Sequence, residues 1–446
     1  MKIVIAGAGD IGFHLAKLLA HEKQDIILID ADEDVLYNAR IHLDVLTLHG
    51  DASRLHVLME AGVDKAKLVI AATTSEKTNI ITAILAKKLG AKQTIARVST
   101  PEYLSIDQRN LFAELGVDSM ISPHQLAAHE VWRLLKQCSL SDIFEFDDGK
   151  MSLIGILLDD SSPIVNMRVG EVDQVYGDTS FKPIALLRGH QTLIPKEDTI
   201  LRRSDHIYFL AKNQDINALT DIVGKDNVSV KNVMIIGGND IALKTAQVLE
   251  DHYNVILIEK SKPHCKYLVK HLKNTLVVCA DPSNLTELEE EGLKSMDAVV
   301  ALTKNSESNI IASLMAEELG VYKTIALVNN THYIRLSQNI GVDTLINEKL
   351  IAANNIFRFV RKGNVEAIAS IHGSEAEIIE FNITKSNRVT KHPLSELHIP
   401  SSALIAGVLR NNESIIPEKD FQLQRDDKVI VLALPEAISS VEKIFH

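Results

Sequence analysis

A cluster of glycines near the amino terminus has the spacing of a phosphate-binding loop. It reads G-x-G-x-x-G and lies between a strand-like run at 3–6 and an amphipathic stretch at 11–22. The first glycine allows a tight turn, the second lets the backbone approach a pyrophosphate, and the third lets helix and strand pack closely. The helix N-terminus would offer free N–H groups to that phosphate. A glycine turn kept only for packing is the alternative. The loop residues are Gly7, Ala8, Gly9, Asp10, Ile11 and Gly12.

Further polar residues occur where the next strand-like runs end. Asp30 can accept hydrogen bonds from both ribose hydroxyls and would repel a 2′-phosphate, so NAD or an adenine nucleotide is favoured over NADP. Asp51, with Ala52, lies at the predicted rim of an adenine pocket, although an acid there also suits a helix N-terminus. Thr73 and Thr74 follow the fourth strand and either face the crevice or cap a helix.

Arg97 is unusual because it interrupts the apolar run TIARV at 94–98. An arginine in a buried strand needs an anionic partner, and a phosphate fits that role. The alternative is an ion pair with a neighbouring acid.

The elements that must position these residues alternate regularly. Continuous apolar runs separated by amphipathic stretches predict a parallel sheet covered on both faces by helices, the doubly wound plan. Gly90 should end the helix predicted at 77–89. The predicted strands are 3–6, 26–29, 45–48, 68–72, 94–98 and 119–121, and the predicted helices are 11–22, 32–40, 53–61, 77–89, 102–114 and 123–137.

The whole pattern occurs twice. MKIVIAGAGDIG at 1–12 returns as NVMIIGGNDIA at 232–242, and GDASRL at 50–55 returns as ADPSNL at 280–285. The second copy keeps two acids, Glu259 and Asp281, but has Asn239 and Ala242 in place of two glycines and Leu327 in place of Arg97. We therefore expect the second copy to bind a pyrophosphate weakly or not at all.

A strand-rich segment with turn signals follows each copy, and these segments also match, at 186–211 and 408–433. The fold class is thus α/β: a tandem duplication of a Rossmann-like doubly wound parallel-sheet domain followed by a small β-rich α+β module. The predicted domains are 1–140 (N1), 141–229 (C1), 230–364 (N2) and 365–446 (C2).

Composition excludes several functional classes. A formal charge of −12 argues against nonspecific nucleic-acid binding. The chain opens without a leader-like segment and lacks a long apolar run, so we expect a cytoplasmic protein. The three cysteines have no C-x-x-C spacing, the 17 histidines are scattered, and the common catalytic motifs are missing, so neither a metal site nor an enzyme is predicted. The alternative function is that of an NAD-dependent oxidoreductase with an unusual substrate domain.

This arrangement resembles the TrkA family of regulatory subunits of bacterial Trk potassium uptake, built from two RCK (also called KTN) units. The similarity rests on GAGDIG, GDAS, ATTSEKTN, TIARV and the duplicated module with its I-P-x-x-D. It implies a cytoplasmic ring, typically of four chains, held on the inner membrane face by a TrkH- or TrkG-type potassium-translocating protein. It also implies NAD(H), ATP or ADP as regulatory ligands, with the N1 residues above as the ligand set and Glu259 and Asp281 as an N2 remnant. A regulator of a glutathione-gated potassium efflux system is the other rival.

Overall fold

The computed structural model describes residues 2–445 apart from 22–23, 137–141, 148, 160–161, 177–180, 190, 224–229, 331–332, 334–341, 343, 361–364, 372–375, 385–387 and 412. The chain forms two compact units, one of residues 1–127 with 347–361 and one of 128–346 with 362–446. The domain limits expected near 140, 229 and 364 fall within stretches outside the described residues and stay predictions. Within the described ranges, every helix is too short or too polar to cross a membrane.

A six-stranded parallel sheet forms the centre of the first unit, in the order β3-β2-β1-β4-β5-β6. The order reverses between β1 and β4, which is where ligands bind in doubly wound sheets. The strands are β1 (Lys2–Ala6), β2 (Asp25–Asp30), β3 (Leu46–His49), β4 (Leu68–Ala71), β5 (Gln93–Arg97) and β6 (Ser119–Ile121). The helices are α1 (Asp10–His21), α2 (Glu33–His42), α3 (Leu55–Glu60), α4 (Glu76–Leu89), α5 (Ile106–Leu115) and α6 (Pro123–Lys136), whose second half belongs to the other unit.

Local sequence explains where these elements lie. The four residues of β4 are all buried, as expected of a strand covered on both faces. Ser75 Oγ accepts a hydrogen bond from Thr78 N and so caps α4, and Gly90 ends that helix at φ 117°. The helix expected at 102–114 begins later, because Pro101–Leu104 forms a 3-10 turn before α5.

The first β-rich module belongs to the second unit. Its antiparallel sheet has the order β10-β9-β11-β8-β7. Its elements are β7 (Asp142–Phe146), β8 (Met151–Leu157), α7 (Val169–Tyr176), β9 (Phe181–Arg188), β10 (Gln191–Leu193), β11 (His206–Lys212) and α8 (Ile216–Ile222).

The second parallel sheet repeats the first, in the order β14-β13-β12-β15-β16-β17. The duplicated doubly wound fold expected from the sequence is therefore confirmed. Its elements are β12 (Asn232–Ile236), α9 (Asp240–Leu249), β13 (Asn254–Ile258), α10 (Lys262–His271), β14 (Leu276–Val278), α11 (Leu285–Glu290), β15 (Ala298–Ala301), α12 (Ser306–Glu318), β16 (Lys323–Leu327) and β17 (Thr344–Ile346).

The helix after the second sheet belongs to the first unit. This helix, α13 (Glu348–Val360), packs against α1. Its buried residues include Ile356 and Phe357, so the apolar face of this helix packs within the chain. A residue more than 330 positions from the glycine loop thereby reaches the same domain.

The second β-rich module repeats the first, with the sheet order β18-β19-β22-β20-β21. Both modules keep one ion pair at the corner before the last strand. Arg188 Nε donates to Asp205 Oδ1 at 2.7 Å, and Arg410 Nε donates to Asp427 Oδ1 at 2.8 Å. The elements are β18 (Val365–Ser370), β19 (Glu377–Asn382), α14 (Arg388–Lys391), β20 (Ala403–Arg410), β21 (Glu413–Ile415), β22 (Lys428–Ala433) and α15 (Ile438–Phe445).

Candidate functional site

Two of the three loop glycines are required by the backbone itself. Gly7 has φ +106°, and a Cβ added there would lie 2.7 Å from Thr73 N. A Cβ on Gly12 would lie 1.8 Å from Gly7 O, which no small movement relieves. The loop therefore crosses the end of β4 and is followed immediately by α1, as the motif predicts.

Gly9 is different, because its surroundings are open. It is exposed, and a Cβ added there meets no atom within 4 Å. The space lies at the start of α1, where Phe13 N already donates to Gly9 O at 2.8 Å and the earlier N–H groups of the helix have no intrahelical acceptor. That geometry suits a phosphate group at the helix N-terminus.

Asp30 is fixed against the loop by two backbone donors. Its Oδ2 accepts from Ala8 N at 2.6 Å, and its Oδ1 accepts from Asp32 N at 3.0 Å. Each carboxylate oxygen can accept a further hydrogen bond. The carboxylate is therefore oriented but not saturated, as a ribose-binding acid should be.

The other predicted positions lie along the carboxyl ends of the strands. Asp51 Oδ1 accepts from Ser53 Oγ at 2.7 Å and from Ser53 N at 2.9 Å, and these hydrogen bonds hold the pKa of Asp51 below its usual value. Ala52 is buried and Thr74 is exposed. Neither Thr73 nor Thr74 caps the following helix, since its cap is Ser75. The alternative role considered for the two threonines is thus wrong.

Arg97 ends β5 and is partly buried. Within the described part of the chain its guanidinium makes no hydrogen bond and no ion pair within 4 Å, and the alternative of an ion pair with a neighbouring acid stays untested. Burial lowers the pKa of Arg97, while the charges of Glu348 and Asp10 act in the opposite direction. A partly buried guanidinium with unused donors is well suited to a bound anion.

Asn79 is a site residue that the sequence reasoning missed. Its side chain is fully buried and joins the ends of two strands: Oδ1 accepts from Thr73 N at 2.8 Å, and Nδ2 donates to Arg97 O at 2.9 Å. A signal existed, because both copies carry an asparagine here. Asn309 makes the same bonds, to Thr303 N at 2.9 Å and Leu327 O at 2.8 Å.

The start of α13 places charged residues beside the glycine loop, and no local sequence motif predicts this. Lys349 forms an ion pair with Asp10 of the glycine loop. Glu348 Oε2 lies 3.4 Å from His124 Nε2 at the start of α6. Only tertiary packing places these side chains beside the loop.

In the second copy, the side chain of Asn239 occupies the place that corresponds to the open space at Gly9. Its Oδ1 accepts from Ala242 N at 3.0 Å and caps α9, and its Nδ2 donates to Leu302 O at 2.6 Å. The N–H that a phosphate would use in this copy is therefore already bonded internally. This contact gives the sequence-based expectation of weak pyrophosphate binding a concrete cause.

The acid that follows the second strand of the second copy is accommodated by a paired change. Glu259 is one methylene longer than Asp30, and Gly238 takes the place of Ala8. A Cβ on Gly238 would lie 2.6 Å from Glu259 Oε2. Glu259 Oε1 still accepts from Ser261 N at 2.7 Å, which matches the bond from Asp32 N to Asp30.

The remaining acid of the second copy is neutralised within the chain. Lys260 Nζ lies 2.5 Å from Asp281 Oδ2, and hydrogen bonds from Lys260 and Ser283 hold the pKa of Asp281 far below its usual range. Leu327, at the position of Arg97, is buried. Across both copies, the described residues include no group of three or more His, Cys, Asp or Glu side chains arranged to hold a metal ion.

The TrkA-N domain family matches residues 3–123 and 233–348, and the TrkA-C domain family matches 153–224 and 378–446. The chain belongs to the TrkA family. Both matches are duplicated, in the order expected from the internal repeat.

Similar proteins cover the full length. The chain is 32% identical over 450 residues to the Trk system potassium uptake protein TrkA homolog of Archaeoglobus fulgidus, with 100% of each chain covered. It is 31% identical over 454 residues to TrkA homolog 1 of Methanosarcina mazei, again with 100% of each covered. The Trk system potassium uptake protein TrkA of Halomonas elongata is 30% identical over 453 residues, with 100% of this chain and 99% of that protein covered.

Solved structures of the same fold include RCK domains. The GsuK RCK domain superposes with a TM-score of 0.60 at 16% identity, covering 100% of this chain and 94% of that one. The GsuK channel bound to NAD has a TM-score of 0.60 at 16% identity, covering 100% of this chain and 78% of that one. At this identity the likeness shows the fold.

Proposed function

We propose that this TrkA-family chain is a nucleotide-sensing regulatory subunit that gates a membrane potassium-uptake protein of the TrkH or TrkG type. In this proposal four chains form a ring on the cytoplasmic face of the inner membrane. The ring binds NAD(H), ATP or ADP and carries out no catalysis. The family, the potassium-uptake names of its full-length relatives and the NAD-bound RCK neighbour support this function.

The observation that carries the proposal is the asymmetry between the two copies. The first has an open space at Gly9, an oriented Asp30 and an Arg97 whose donors are unused by the described residues. The second has Asn239 bonded into the corresponding space. A protein that kept both sheets only as scaffold would have no reason to hold one site open while the other is filled.

Sensing follows from differential affinity. A ligand shifts a conformational equilibrium only as far as it binds one state better than the other. Arg97 lies at the end of β5, and its carbonyl is tied through Asn79 to Thr73. A terminal phosphate on Arg97 would therefore act on both strand ends, while the adenosine end would rest on Asp30 and Asp51. Coupling of about 1–3 kcal/mol is typical of such regulation.

Equilibrium binding to the full chain tests this assignment. NADH, ATP, ADP and adenosine are titrated against the wild-type protein and against Arg97→Leu, which copies the residue of the second copy. We expect the variant to lose affinity for ATP and ADP by about tenfold or more, since a charge-assisted hydrogen bond contributes about 1.5–3 kcal/mol. Adenosine affinity should change little. Lys88→Gln, an exposed charge at the far end of α4, is the control.

Two results would contradict the proposal. Equal losses for ATP, ADP and adenosine would remove the phosphate role of Arg97. Turnover of NADH with a carbonyl substrate by the isolated chain would favour the oxidoreductase. For the partner, co-purification from membranes with and without ATP identifies the bound transporter. Recovery of a glutathione-gated efflux protein in place of a potassium-uptake protein would refute that part.

A further inference from the structure

The rim of the first-copy site carries two charged residues that come from far along the chain. Asn347 Oδ1 accepts from Lys349 N and Leu350 N, each at 3.0 Å, and this cap fixes the start of α13. Lys349 then pairs with Asp10, and Glu348 Oε2 lies 3.4 Å from His124 Nε2. The first turn of α13 thus contacts both the glycine loop and the start of α6.

The carboxylate of Glu348 is largely enclosed by the protein. Its side chain is 18% exposed, and its Oε2 makes no hydrogen bond with the described residues, although it lies 3.4 Å from His124 Nε2. A carboxylate with little solvent around it keeps much of its field, because buried charges are screened less than exposed ones. The charge of Glu348 can therefore act on neighbouring charged groups.

The field of Glu348 reaches Arg97. The two side chains interact electrostatically but form no ion pair within 4 Å, and no described residue uses the donors of the guanidinium. On the proposed function, a phosphate drawn to Arg97 would also enter the field of Glu348. Arg97 would then attract the phosphate while Glu348 repels it. The net interaction would depend on the number of negative charges on the ligand.

We propose that Glu348 is a specificity-determining residue of the first-copy site, which opposes the terminal phosphate of a nucleotide and so limits the preference for triphosphate over diphosphate. Lys349 has the opposite effect and favours phosphate binding, because it neutralises Asp10 within the glycine loop. Both residues lie on α13, which the second half of the sequence contributes. In this proposal α13, which follows the second parallel sheet in the sequence, makes the affinity of the first-copy site depend on the charge of the ligand.

The test is Glu348→Gln in the full chain, with affinities for ATP, ADP and adenosine measured without magnesium at fixed ionic strength. We expect ATP to bind about five- to tenfold tighter and ADP about two- to threefold tighter, since a unit charge at this partly buried rim interacts with each added ligand charge. Adenosine should be unchanged, which also checks that the site is folded. Lys349→Met should weaken ATP binding by about threefold.

Matched controls separate this role from a general charge effect. Glu114→Gln removes the same charge from an exposed position near the end of α5, and it should leave all three affinities unchanged. Glu348→Asp keeps the charge and should keep the wild-type order. Equal tightening of all three ligands by Glu348→Gln, or an equal gain from Glu114→Gln, would overturn the assignment. Failure of the wild-type chain to bind any adenine ligand would instead refute the proposed function on which it rests.

Discussion

Placing the asparagine of the second-copy loop in the first-copy loop should weaken phosphate binding without unfolding the protein. The change is Gly9→Asn, which reproduces Asn239. Position 9 can accept a side chain, because an added Cβ meets no atom within 4 Å and its φ is not in the left-handed region. By analogy with the 3.0 Å bond from Ala242 N to Asn239 Oδ1, the new side chain should cap α1.

The expected loss of nucleotide affinity follows from the hydrogen bonds that are exchanged. Capping removes at least one N–H that would donate to a phosphate, and such a charge-assisted bond contributes about 1.5–3 kcal/mol. Affinity for ATP and NADH should therefore fall by about 10- to 150-fold. Stability should stay within a few tenths of a kcal/mol or rise slightly, since glycine and asparagine differ little at this position of a helix.

Isothermal titration with ATP and NADH, together with urea unfolding of the same samples, measures both effects. The matched comparison is Asn239→Gly, which loses the bond to Leu302 O and should lower stability by about 0.5–1.5 kcal/mol without altering the affinity of the first-copy site. A Gly9→Asn protein that binds ATP within twofold of the wild type would refute the placement of the phosphate at this loop.

Three further predictions concern the scaffold of the site. Gly12→Ala should cost more than about 2 kcal/mol in urea unfolding, because its Cβ would lie 1.8 Å from Gly7 O; a smaller loss would mean that the loop can move. Asn79→Ala and Asn309→Ala should each lower the free energy of unfolding by about 3 kcal/mol, since each leaves buried backbone groups unpaired. Only Asn79→Ala should also weaken ATP binding. Equal effects of the two variants on ATP binding would contradict the asymmetry between the copies. Burial, with the charge of Lys17, lowers the pKa of His14 to about 4. Folding favours the neutral form of His14, so stability should fall by about 2–3 kcal/mol as pH drops from about 6.5 to 4. His14→Gln should remove that part of the pH dependence, and an unchanged pH profile would contradict it.

Much of the first-copy site could be predicted from local sequence, because the chemistry of a phosphate loop depends on residues close together in the chain. The strands β1 to β6 lie within one or two residues of their predicted positions, since a strand buried on both faces must be an unbroken apolar run. The start of α1 after the glycines and the end of α4 at Gly90 follow from backbone conformation alone.

The sequence also revealed the asymmetry between the copies but not its physical form. Asn239 was expected to obstruct a ligand, and the fold shows that its side chain caps α9. The paired change of Ala8 to Gly238 and Asp30 to Glu259 needs the distance between two strand ends to be understood. Side-chain contacts across 20 residues or more have no periodic signal in a single sequence.

What the sequence alone determined is the duplicated fold, the glycine loop and the acids at the ends of the second and third strands, because these are set by hydrophobic periodicity and short-range backbone geometry. What only the tertiary structure decided is the charge balance at the rim. The Lys349–Asp10 ion pair and the approach of Glu348 to His124 depend on α13 packing against α1. Apolar residues at helical spacing indicate that one face of a helix is buried. They do not indicate which helix it packs against, because apolar contacts are not directional.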